Sequence, residues 1–325
     1  METRKLDTTV NSQREAFKLK FAPGLLHPFS RLNVSVRLGQ LSLNILSRWP
    51  IKPLLPKPES GMRYLTIAGR DHWLMLRESM FSLYWSWKNL PTITVISDGS
   101  WSAEDFQPIF SWWPGNIHVL SREQIIAQAD TAGERELAQY AEASPYGLKL
   151  ASIVLLARRE PVLFVDADIL WFKDPTGLFG PSQSWAKPRG VSESNCYQHR
   201  DMALRYCPEV LKPPFVNGGI LALHGEFLAP EILRAMVREA LVDPKEGTFE
   251  QTIIASAVHT GAGLLPNKLS LVAFDDVHKF CLRNMRKEGY YSRHYVNWMR
   301  HLLYRDALAL RWRAVSAWNC SPSIA

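Results

Sequence analysis

The sequence is poor in cysteine, with four scattered along 325 residues (Cys196, Cys207, Cys281 and Cys320). So sparse a set excludes a disulfide scaffold, and reduced thiols on the cytosolic side of a membrane are the expectation. Cys196, His199 and Cys207 are metal-binding residue types, but their spacing fits no compact zinc knuckle. Long hydrophobic runs are also missing. No stretch approaches the roughly 20 apolar residues a membrane span needs, and segments such as 150–157 are of core-helix size. The N-terminus carries charge without an apolar segment behind it, which predicts no secretory signal. Neither a Gly-x-Gly-x-x-Gly nor a Walker-type Gly-Lys-Ser/Thr occurs, so neither dinucleotide nor P-loop chemistry is favoured.

What is present is enough for a substantial core, in one large domain or two modest ones: 46% hydrophobic residues and 12 tryptophans. The formal net charge of +7 is uneven, because residues 1–60 hold ten Lys/Arg against four Asp/Glu and the remainder holds 28 against 27. A nucleic-acid-binding domain carries such a surplus on its folded body, so no nucleic-acid partner is expected. On an extension the surplus suits an anionic lipid surface or a partner protein, and equally a solvated basic tail. Residues 1–20 are polar and aperiodic, which predicts disorder. Residues 30–49 mix helical and strand periods and stay unassigned. The segment 49–58 reads as a proline-rich linker. The expected organisation is a basic N-terminal extension over 1–58 and one main domain over 59–325.

From residue 60 strands and helices alternate. Strands are predicted at 64–67, 92–96, 117–120 and 215–223, with helices over 71–87 and, in several pieces, up to Ala157. Ser102-Ala103-Glu104-Asp105 has the form of a helix-opening capping box. Alternation of this kind predicts an α/β fold with a mostly parallel central sheet flanked by helices, whose ligands bind beyond the carboxyl ends of the strands.

The most informative stretch is Val162-Leu163-Phe164-Val165-Asp166-Ala167-Asp168-Ile169-Leu170-Trp171. It reads as a strand buried on both faces, interrupted by two aspartates at spacing two, which places both carboxylates on one side of the strand's end. Burying two neighbouring carboxylates is costly unless a cation compensates them, and a divalent ion does so directly. The plainer reading is a strand end that surfaces and solvates its aspartates.

Downstream lie Asn217-Gly218-Gly219, read as a turn introducing a strand, Glu250-Gln251 at a helix start, and His294 with Asn297 and Arg300. With Lys149 in the helix before the Asp-x-Asp, and Leu178-Phe179 after it, this ordered set resembles the GT-A fold nucleotide-sugar glycosyltransferases. It is most similar to the glycogenin and bacterial lipopolysaccharide galactosyltransferase family. The resemblance spans about residues 60–305. Glu250 replaces the family's Asp, while Asn297 and Arg300 replace its Gly and Lys.

The resemblance implies a metal site of Asp166, Asp168 and His294 holding Mn or Mg and bridging the diphosphate of a nucleotide sugar, usually a UDP-sugar. It implies contacts from Lys149, Arg300 and Asn297, with Asp166, to that donor, and catalytic-site roles for Asn217, Glu250 and Gln251. Transfer would retain the anomeric configuration, to an acceptor (glycan, lipid-linked or protein) that the sequence does not identify. Each residue also has a structural reading: Lys149 as a solvated helix residue, Gln251 as a capping-box partner of Thr248, Asn217 as a turn former, His294 as a core or surface histidine. Two rivals stand beside this function. An Asp-x-Asp phosphatase would need a Gly-Thr or similar after the second aspartate, where Ile169-Leu170-Trp171 follows. A catalytically silent sugar-nucleotide-binding scaffold fits the changed motif residues.

Overall fold

The computed structural model describes residues 31–180, 185–261, 263–272, 289–296 and 299–320, without the side chains of 31–36 and 315–320. Among them the first element is helix α1 (Arg31–Arg48), followed by strand β1 (Glu59–Ala68), α2 (Trp73–Ser86), β2 (Leu90–Ser97), α3 (Ala103–Phe110) and β3 (Ile117–Leu120). Three helices, α4 (Arg122–Thr131), α5 (Arg135–Ala143) and α6 (Pro145–Ala157), lead to β4 (Val162–Val165) and β5 (Ile169–Trp171). Then come α7 (Thr176–Phe179), β6 (Arg189–Glu193), α8 (Arg200–Tyr206), β7 (Phe215–Leu223), α9 (Pro230–Ala240) and α10 (Gly247–Thr260). The chain closes with β8 (Gly263–Leu264), β9 (Ser270–Leu271), β10 (Ser292–His294) and α11 (Arg300–Cys320).

Seven strands form one sheet in the order β3-β2-β1-β4-β7-β6-β8. The half β3-β2-β1-β4 is parallel, as the βαβ alternation predicted; β7 is antiparallel to both β4 and β6, and β8 runs parallel to β6. The strand β4 shows why its sequence lacks polar residues. Val162 and Phe164 point into the core under α4, α5, α6, α9 and α10, and Leu163 and Val165 into the core under α2 and α3, so both faces are dry.

The apolar run 162–171 is not one strand. Its second half, β5, leaves the large sheet for a three-stranded one of order β5-β10-β9, in which His294 of β10 pairs with Ile169. Asp166, Ala167 and Asp168 are the corner between the two sheets. The Asp166 N–H donates to Gly219 O (2.8 Å) and Asp168 O accepts from the Tyr295 N–H (2.9 Å), so each sheet holds one end of the corner. Composition alone cannot show this break, because both halves are equally apolar.

Residues 31–48, unassigned from sequence, are helical. Gly39, Ser42 and Leu46 form the face turned inward, with Leu46 fully buried in a third core that includes Leu74, Leu170, Leu302 and Leu310. Glu78 ties these helices together: it accepts from Arg77 and, through both oxygens, from Arg311 of α11 (2.8 and 2.6 Å), while Arg77 and Arg311 donate onward to Leu46 O and Trp49 O. The predicted capping box is present, with Ser102 and Asp105 exchanging hydrogen bonds. The expectation of disorder over 1–20 lies outside the described residues.

Candidate active site

The carboxyl ends of β1, β2 and β4 open into a cavity of about 630 Å³. Asp166 and Asp168 stand on its floor, and Lys149, Glu250, Asn217, His294 and Arg300 surround them. These seven residues, far apart in sequence, are therefore brought together; Asn297 lies outside the described residues.

Lys149 comes from α6, which starts at Pro145 with Ser144 accepting the Gly147 N–H (3.0 Å). The helix is buried nearly all round, so its one lysine needs carboxylates. It has two, Asp166 Oδ1 at 3.2 Å and Glu250 Oε1 at 3.1 Å. Burial disfavours the ammonium, but these two charges outweigh it and hold the Lys149 pKa above its ordinary range. Lys149 is thus no solvated helix residue. Glu250 is buried at 1% exposure, and burial lifts its carboxyl above the usual range against the pull of Lys149.

Gln251 does not cap its helix. Glu246 is the N-cap of α10, accepting from the Thr248 N–H (3.2 Å). The Gln251 side chain instead accepts from the Gly218 N–H (3.1 Å) and donates to Glu250 Oε2 (2.9 Å), joining α10 to β7. Asn217 is likewise not in a turn before the strand; it lies inside β7, where the pairing with β6 slips between Gly190/Val191 and Leu221/Asn217. Neither Gly218 nor Gly219 adopts positive φ. Gly219 is required for close approach, since a Cβ there would fall 2.4 Å from His294 Cε1.

The histidine is oriented by this strand. Asn217 Oδ1 accepts the Gly219 N–H (2.8 Å), which fixes its amide, so His294 Nδ1 at 3.0 Å must be the donor. His294 Nε2 then faces Asp168 Oδ1 at 3.0 Å and Asp166 Oδ2 at 3.5 Å. Burial opposes the imidazolium, yet the two aspartates raise the His294 pKa overall. Burial likewise opposes ionisation of Asp168, but His294 and Arg300 hold its carboxyl below the usual range. Arg300, at the first turn of α11, donates from Nε to Asp168 Oδ2 (3.1 Å) with its side chain 43% exposed to the cavity.

The donor set fits a divalent cation. One atom each from Asp166, Asp168 and His294 lie within 4.8 Å of one another. With Nδ1–H committed to Asn217, a neutral His294 turns its lone pair toward two carboxylates, an arrangement completed by a metal ion, as oriented metal-binding histidines are. Without one, a proton on Nε2 satisfies the same three atoms.

Sequence reading missed Glu193 on β6. It is buried, accepts from Asn217 Nδ2 (3.0 Å) and the Ser194 N–H (3.1 Å), and burial pushes its carboxyl up to about 7. An acid in the short segment Arg189-Gly190-Val191-Ser192-Glu193 carries no motif, and only the β6–β7 pairing delivers it to Asn217.

No protein-family model matches this sequence, and neither does any curated protein. Solved structures do. The galactosyltransferase LgtC, in a complex with donor and acceptor sugar analogues, is similar over 78% of this chain and 99% of its own, at 13% identity and a TM-score of 0.50. The bifunctional glycosyltransferase WbbM, in its apo form, is similar over 79% of this chain at 11% identity and a TM-score of 0.50; the chain spans about half (51%) of WbbM's length. The class these comparisons define is the GT-A glycosyltransferase fold, and this chain has that fold.

Proposed function

We propose that this protein is a metal-dependent glycosyltransferase that moves a sugar from a nucleotide-diphosphate donor, a UDP-sugar, to an acceptor with retention of configuration. The observation that carries the proposal is the convergence of Asp166, Asp168 and His294 on the floor of a cavity at the carboxyl ends of GT-A strands. The known activity of LgtC as a galactosyltransferase supports it. Asp166, Asp168 and His294 would hold Mn or Mg, which when bound neutralises charge developing on a departing diphosphate. Arg300 stands one hydrogen bond from Asp168 and reaches the cavity, from where its planar fork grips a phosphate. Lys149 bridges Asp166 and Glu250, holding the two carboxylates in place at the cavity. Glu250 and Asn217 present polar edges to the donor sugar or acceptor, and Gln251 positions both through Gly218 and Glu250. Asn297 completes the family spacing between His294 and Arg300.

One observation favours a second reading, a silent sugar-nucleotide-binding scaffold: Asp166 and Asp168 both already have protein cations beside them, so the site is electrically satisfied without metal. Hydrolysis of UDP-sugars in the presence of Mn²⁺ separates the two, since a scaffold gives none. The direct test of the site is Asp168→Asn. This variant should keep the wild-type far-ultraviolet circular dichroism and lose all Mn²⁺-dependent thermal protection by UDP. Unchanged UDP protection, with and without chelator, would overturn the proposal.

A further inference from the structure

The donor-site reading leaves one feature of the fold unused. Helix α1 turns Gly39, Ser42 and Leu46 inward, and a Cβ on Gly39 would sit 2.3 Å from His301 O of α11. The face opposite is polar, with Gln40, Asn44 and Ser47 exposed. On the flank between the two, about 100° round from the inward face, Leu38, Leu41 and Ile45, at spacings of three and four, form one stripe and are 46%, 56% and 39% exposed. Arg37 and Arg48 are exposed on the same helix, and Lys52 is exposed just beyond it. No Asp or Glu occurs between Glu15 and Glu59, a segment holding seven Lys/Arg.

We infer that this stripe is a docking surface for an anionic lipid bilayer, on which α1 lies flat. A helix face with aliphatic side chains flanked by arginine and lysine, and free of acids, is what binds at the boundary of headgroups and acyl chains. The alternative of an acidic protein partner is less well matched. Protein interfaces concentrate their energy in Trp, Tyr and Arg anchors seated in pockets, whereas this face is convex and aliphatic. Among the described residues no helix is long and apolar enough to cross a membrane, and the inferred attachment is a peripheral one. The surface also has a functional position. Gly39, on the inward face of α1, packs against His301 O, and His301 follows the cavity-lining Arg300 in the chain. A bilayer held there brings lipid-borne acceptors to the cavity. The inference concerns attachment and stands whether or not the donor proposal does.

The test is co-sedimentation of the full chain with vesicles of phosphatidylcholine alone and of phosphatidylcholine mixed with phosphatidylglycerol. The protein should pellet with the mixed vesicles only and be released by raised salt. The variant Leu38→Ser/Leu41→Ser/Ile45→Ser should lose at least about tenfold in vesicle partitioning, because the apolar area that enters the bilayer is gone. Its melting temperature and its UDP-sugar hydrolysis should match wild type, because the three residues are exposed and outside the cavity. Arg37→Glu/Arg48→Glu, which keeps the stripe, should lose the preference for anionic lipid. Partitioning indifferent to lipid charge and to both variants would overturn the inference. So would a concentration-dependent dimer that the triple variant abolishes, which would assign the stripe to a second copy of the chain.

Discussion

Gly219→Ala tests the construction of the site through a single methyl group. The new Cβ would lie 2.4 Å from His294 Cε1, 2.5 Å from its Nδ1 and 2.8 Å from Asn217 Oδ1. Carbon contacts settle near 3.5 Å, so the imidazole must retreat by about 1 Å. The backbone of His294 cannot follow, because β10 is paired to β5 and Tyr295 N–H is bonded to Asp168 O at 2.9 Å. The ring therefore swings, giving up the 3.0 Å Nδ1–H bond to Asn217 and the aim of Nε2 at Asp168. Overpacking of this size costs about 1 to 3 kcal/mol, seen as a melting temperature lower by roughly 2 to 4 °C per kcal/mol. Loss of the orienting partner should weaken Mn²⁺ binding about 10- to 100-fold. The measurement is Mn²⁺ titration of the full chain by calorimetry, alongside a thermal melt. The neighbouring Gly218→Ala is the control. Its Cβ would meet Ile254 Cδ1 at 2.9 Å and Gln251 Nε2 at 3.1 Å, the far ends of side chains that can shift. Mn²⁺ affinity in that variant should stay within about threefold of wild type, since no ligand is displaced. Equal Mn²⁺ affinity in wild type and Gly219→Ala, or equal losses in the two variants, would refute the reasoning.

Arg300→Ala should weaken UDP binding far more than uridine binding, by about 1.5 to 3 kcal/mol for a lost charge-assisted contact; equal losses by calorimetry would place Arg300 in the fold alone. Glu193 binds its proton more tightly folded than unfolded, since burial lifts it from 4.5 to about 7. Its contribution to stability is thus full below about pH 4.5 and is lost as pH rises through about 7. Glu193→Gln should therefore gain on wild type across that window in denaturant titrations, and a constant difference would count against the shifted carboxyl. Glu78→Gln leaves Arg77 and Arg311 buried without their shared anion and should cost about 3 to 5 kcal/mol. A loss below about 1 kcal/mol would show that the buried pair contributes little.

The sequence by itself determined the strands and helices of the parallel half of the sheet and the carboxylate pair Asp166 and Asp168. These were legible because burial on both faces demands unbroken apolar runs, and because paired carboxylates in such a run have few physical uses. Lys149, Asn217, Glu250, Gln251, His294 and Arg300 are legible only through the family resemblance. Tertiary structure alone decided the rest. The Asp-x-Asp is a corner between two sheets, and its apolar flanks look the same whether or not the strand bends. Asn217 and Gln251 each join a near neighbour to a distant partner, Gly219 N–H to His294 and Glu250 to Gly218 N–H, and local spacing does not encode the distant one. Glu193 carries no motif and joins the site through strand register. Helix α1 mixes two hydrophobic periods because it satisfies two surroundings, the inward core at Leu46 and the exposed face at Leu41; only the packing of α11 against Gly39 tells them apart.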